Sequence, residues 1–197
     1  MTDMFTHRVE IFTQSLVIAG SYDLAIYRRM SDAINGEQRR YIPLRDSSIA
    51  PLERLSQAQR VPNLLVDRQD TILVATVEEA LPPPDYPREE QLRGVVPVAA
   101  MFFTEAFVVR GTFHKRPDLT LPEMLERITD DFIPLSHVQV FPLLGGSAPI
   151  SRDFGALARE KVVALYPIAE PKPAAPVPMP PPPAAEEPAA EEPAAEE

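Results

Sequence analysis

Valines and isoleucines alternate with polar residues near the start of the chain: Val9 and Ile11 flank Glu10 within RVEIFT, the pattern of a strand with one buried face. Gln14-Ser15 reads as a short turn, and LVIAGSY as a returning strand with Leu16, Ile18, Gly20 and Tyr22 on one side. A helical period follows further along, where Leu121, Met124, Leu125 and Ile128 fall at i, i+3, i+4 and i+7. Thr120 precedes that stripe and Glu123 stands three positions later, a capping box with Pro122 in the first turn. Met30, Ala33 and Ile34 give a second, shorter stripe that Gly36 stops. YIPLRDSSIAPL and FIPLSHVQVFPL read as strands, and NLLVDRQDTILVATV as strand, tight turn, strand. Pro43 and Pro134 lack an amide donor, so they are expected at an edge or a bulge.

Sliding the chain against itself by 91 residues superposes these elements. FTQSLVIAGSY falls on FTEAFVVRGTF and YIPLRDSSIAPL on FIPLSHVQVFPL without a gap, and nine of 41 positions from Phe12 to Leu52 are identical. The same shift lays LLVDRQDTILVA over ALAREKVVALY and matches Arg68 with Arg159. One register held across separate motifs implies a duplicated unit. Gly20 and Gly111 then share one place mid-strand, where a glycine marks a bulge, a bend or a close backbone approach. The expected organisation is a first repeat over 1–78, a proline-rich linker over 79–91, a second repeat over 92–168 and a disordered tail over 169–197. The linker LPPPDYP, from Leu81 to Pro87, is expected to hold the units apart without fusing their cores. The Pro/Ala/Glu tail has too little apolar surface to offset the entropy of ordering it.

The charge belongs largely to the tail. Of the net −10, seven glutamates and Lys172 lie beyond residue 168, leaving −4 on the rest. A mildly acidic body argues against a surface given over to wrapping duplex nucleic acid. Cysteine is absent, which excludes disulfides, thiolate metal sites and cysteine nucleophiles. MTDMFTHRVEIFTQ has neither a basic stretch nor a long apolar run, so no signal peptide is expected. No apolar run spans a bilayer, and the expected location is the cytoplasm.

Hairpin, glycine strand, short helix, strand, hairpin is an order that resembles small SH3-like or Sm-like barrels. Gly20 together with LLVDRQDTILV is similar to the glycine strand and closing hairpin of Sm-type chains, although the turn Asp67-Arg68-Gln69-Asp70 lacks their glycine. The stretches Thr13–Gly20, Arg29–Asn35 and Tyr41–Asp46 also resemble a group of small uncharacterised bacterial domains. The second unit departs from that pattern, with Thr120, Pro122 and Glu126 in place of Arg29, Ser31 and Asn35. The resemblance implies a mainly β protein of two tandem small barrels, each with one short helix, and implies no activity.

Candidate chemistry is sparse. Arg28, Arg29, Arg39, Arg40 and Arg45 cluster around the first helix, whereas the matched positions hold Leu119, Thr120, Asp130, Asp131 and Ser136. A solvated face explains the cluster most simply; arginine forks also suit phosphate or carboxylate. The reversal from Arg39-Arg40 to Asp130-Asp131 offers a third reading, one unit docking on the other. His7, His114 and His137 have no metal-ligand spacing, and Asp32 is placed by the positive end of a helix. Gly145-Gly146-Ser147 is a turn and not a phosphate loop. No catalytic residue, metal or cofactor is expected. The functional expectation is a non-enzymatic protein-interaction or scaffold module, with self-association through the repeats as one route. RNA or single-strand binding through the first repeat is the alternative.

Overall fold

Alternation along the chain becomes alternation of burial. In the computed structural model, which describes residues 4–25, 30–36, 39–78, 94–144 and 148–168, His7, Val9 and Ile11 of β1 (Met4–Phe12) turn inward. β7 (Phe107–Lys115) buries Phe107, Val109, Gly111 and Phe113 in the same way. The first half of the chain continues with β2 (Leu16–Ala25), α1 (Met30–Gly36), β3 (Tyr41–Pro51), β4 (Gln59–Asp67) and β5 (Leu73–Glu78). The second half holds β6 (Val96–Phe103), β7, α2 (Leu121–Arg127), β8 (Phe132–Pro142), β9 (Ile150–Ala158) and β10 (Ala164–Pro167). The linker from 79 to 91, the tail from 169, and Arg28 and Arg29 lie outside the described residues.

α2 begins as its capping box requires. The Thr120 hydroxyl accepts from the Glu123 amide, and the Glu123 carboxylate accepts from the Thr120 amide at 2.8 Å. That bond holds the Glu123 carboxyl below the usual range. Leu121 is buried, and Met124, Leu125 and Ile128 pack on the core beside it. α1 buries Met30, Ala33 and Ile34.

The strands form one open, antiparallel, ten-stranded sheet in the order β4-β3-β2-β1-β5-β9-β8-β7-β6-β10. Positions 91 apart take like places in it. Gly20 opposes Val9, and Gly111 opposes Ala100. Register slips between Ala19 and Ser21 where β2 meets β3, and between Arg110 and Thr112 where β7 meets β8. Across from these slips Asp46 and His137 adopt φ of 46° and 51°, left-handed values that a non-glycine residue takes at bulges. Pro43 and Pro134 sit on interior strands, each past the end of the pairing with β2 or β7, so the missing donor leaves no gap in that ladder.

The expectation of two separate cores is corrected here. β5 pairs with β9 from Leu73 opposite Leu157 to Thr76 opposite Phe154, and this joins the halves into one sheet. One core cluster packs Phe12, Ile72 and Leu73 of the first half with Phe107, Val138 and Leu157 of the second. The other packs Phe132 and Ala156 among Val9, Leu24 and Val74. A stiff linker does not keep cores apart when the strands it connects bear apolar edges: covering β5 and β9 removes both from water, at about 25 cal/mol per Å² of apolar area.

Candidate functional site

The three described arginines of the cluster stand apart from one another. Arg40, just ahead of β3, places Nε 3.1 Å from Asp67 Oδ2 at the end of β4 and lies 5.3 Å from the Tyr41 ring. Arg45, within β3, reaches across to β2, where its Nη2 donates to Asp23 Oδ1 at 2.6 Å. Thr6 donates to the same carboxylate at 2.7 Å. The Asp23 carboxyl is held below the usual carboxylate range, chiefly by the Arg45 hydrogen bond, with burial opposing and Thr6 assisting. Asp67 is lowered as well, first by the Gln69 amide and then by Arg40. Arg39 is exposed. Arg40 and Arg45 thus each face a carboxylate from a neighbouring strand, which discharges much of the positive field a phosphate would meet.

The histidines do not converge on a ligand set. His7 is buried on β1, His114 is half-buried on β7 and His137 is exposed at its bulge. Among the described residues no three of His, Asp and Glu are grouped to hold a metal, and no helix is long and apolar enough to cross a membrane.

Contacts between the halves fall on residues outside the arginine cluster. Arg152 on β9 holds Glu10 on β1, with Nη2 2.6 Å and Nε 3.1 Å from one carboxylate oxygen. The Asn35 side chain bonds both backbone groups of Phe132, at 2.9 Å each. Arg68 bonds Asp131 at 2.9 Å, lies 4.9 Å from the Phe132 ring and donates to the Ile34 carbonyl. Docking of one half on the other does use Asp131, with Arg68 as its partner and not Arg39 or Arg40. The sequence carried a signal for this set. Glu10, Asn35, Asp131 and Arg152 match Met101, Glu126, Arg40 and Val61, so each breaks the like-for-like pairing. A junction made once per chain needs its polar residues in one half only.

What remains open is the outer side of β4. This nine-residue strand pairs with β3 alone, and its Leu64-Leu65-Val66 stretch borders a hollow of about 590 Å³. Leu16, Ile18 and Ile49 give that hollow an apolar floor, while Asp67, Asp70 and Glu160 make its rim acidic. At the far end of the sheet the four residues of β10 pair with β6 alone. Free backbone donors and acceptors beside exposed apolar side chains are what an extended segment needs in order to add as a further strand. Comparison with protein-family models, curated proteins and solved structures finds no match to this chain.

Proposed function

We propose that this chain is a non-enzymatic interaction module, built from two duplicated SH3-like or Sm-like units, that takes up partners by strand addition at its open sheet edges. The observation that carries the reading is the β4 edge, where Leu65 is exposed above an apolar-floored hollow on a strand with one side unpaired. Backbone pairing along such an edge supplies affinity, and side chains entering the hollow supply selectivity. Arg60 and Pro62 blunt the first part of β4, which leaves Leu64 to Asp67 as the segment open to pairing. The nucleic-acid alternative has less to stand on, because Arg40 and Arg45 already face Asp67 and Asp23.

Leu65→Asp places a charge on this edge without touching the core. Immobilised wild-type chain is expected to retain a defined set of proteins from lysate that Leu65→Asp loses, as read by quantitative mass spectrometry. Identical sets on both surfaces, or none on either, would refute edge docking.

A further inference from the structure

We infer that the occupant of the β4 edge is β10 of a second copy of this chain, so that copies join head to tail. The inference rests on the edge-docking reading and adds the partner. Within the chain the two halves meet through the fifth strand of the first, β5, and the fourth strand of the second, β9. The strands left with a free side are the fourth of the first half, β4, and the fifth of the second, β10. The chain therefore ends in the same pair of edges that it joins internally, one of each kind. Shifting the internal register by 91 sets Ala164 against Val66, Leu165 against Leu65, Tyr166 against Leu64 and Pro167 against Asn63. The internal bond from the Ala158 amide to the Ile72 carbonyl, 2.8 Å long, becomes one from Asp67 to Val163.

Exposure separates the used edges from the unused ones. Ile72 and Ala75 are 3% and 0% exposed at the internal joint, whereas their counterparts Val163 and Tyr166 are 71% and 54% exposed. On the facing strand Ala156 is 0% exposed and its counterpart Leu65 is 65%. Side-chain volume is also kept across the exchange. Internally, Leu73 Cδ1 lies 3.0 Å from where a Gly155 Cβ would sit, so the glycine makes room for the leucine. At the outer edges the glycine's counterpart is Leu64 and the leucine's is Ala164, and the bulk has passed from one strand to the other. Phe12 meets Phe107 edge-on at 5.7 Å inside the chain; outside, the half-exposed Phe103 would meet Leu16 on the floor of the hollow.

Polar contacts change in kind. Counterparts of the Glu10–Arg152 pair are Met101 and Val61, an apolar contact. Arg159 would approach Arg40, with Asp67 and Glu126 beside them to offset the like charges. Because donor and acceptor edges differ, the contact is heterologous, and repetition gives a closed ring or a filament.

Sedimentation and light scattering on the pure full-length chain test this. At about 100 μM, where a micromolar contact is saturated, the mass should be a whole multiple of the monomer's. Leu65→Asp should block the acceptor edge, and Val163→Asp or Tyr166→Asp the donor edge, each giving a monomer with an unchanged circular dichroism spectrum. Mixing an acceptor-blocked with a donor-blocked variant should double the mass and stop at the dimer, since each brings one intact edge. A monomeric wild type, variants that stay assembled, or a mixture that stays monomeric overturns the inference. If wild type is monomeric and yet Leu65→Asp loses lysate partners, edge docking stands and its occupant is another protein.

Discussion

Gly20→Ala should destabilise the fold more than Gly111→Ala, although the two glycines hold matched places. A Cβ on Gly20 would stand 2.9 Å from Leu44 Cβ and 2.9 Å from Ser47 Oγ. Leu44 Cβ is bonded to the β3 backbone and Ser47 is buried, so neither moves aside without shifting the strand. At Gly111 the nearest atoms are Leu135 Cβ and Cδ1, both at 3.1 Å, a contact that a few tenths of an ångström relieve. Overpacking of this kind costs about 1–3 kcal/mol, and restricting the unfolded chain returns about 0.4–1 kcal/mol. Gly20→Ala should then lose about 1–2 kcal/mol, and Gly111→Ala about half that or less. At about 2–4 °C per kcal/mol for a chain of this size, the first shift is about 2–8 °C. Thermal melts followed by circular dichroism and urea titration read both values. The shared cores require one transition for both variants, whereas independent units would unfold in two. Gly20→Ala at or above wild-type stability, Gly111→Ala costing more, or two separate transitions would refute the reasoning.

Thr120→Ala removes the capping box of α2 and should cost about 0.5–2 kcal/mol, measured by urea unfolding. Arg152→Met strands the Glu10 carboxylate at the junction of the halves and should cost about 1–3 kcal/mol, with hydrogen exchange of the β5 and β9 amides rising above the global rate. Asp23 titrates at a lower pH in the folded than in the unfolded protein, so its pair with Arg45 stabilises fully above the ordinary aspartate range and is lost as pH falls through the folded value. Arg45→Ala should therefore melt slightly below wild type at pH 7 and converge with it below about pH 3, a gap that added salt narrows.

Local pattern makes most of the elements legible in the residues alone. Alternation marks β1 and β2, the Thr120 box marks the start of α2, and the 91-residue register carries the β4–β5 hairpin over to β9 and β10, where ALAREKVVALY alone is ambiguous. The joint between β5 and β9 is not legible, because strand pairing across 80 or so residues leaves no local trace. The linker misleads for the same reason, since its stiffness says nothing about which edges are apolar. Arginines close in sequence invite a patch reading, yet Arg40 and Arg45 take partners from β4 and β2. Glu10 and Arg152 lie 142 positions apart and show only as places where a charged residue matches an apolar one.

A cysteine-free chain allows the outer joint to be read directly in covalent form. The 91-residue shift sets Leu165 of one copy opposite Leu65 of the next, and opposed residues of antiparallel strands lie about 4.5–5.5 Å apart at Cα, within disulfide range. Leu65→Cys and Leu165→Cys chains, mixed under mild oxidation and run on a non-reducing gel, should give a disulfide-linked dimer whose crosslinked peptide joins 65 to 165, while each chain alone gives only background. Absence of that crosslink, or equal dimer from Leu65→Cys alone, would contradict head-to-tail joining of β10 to β4.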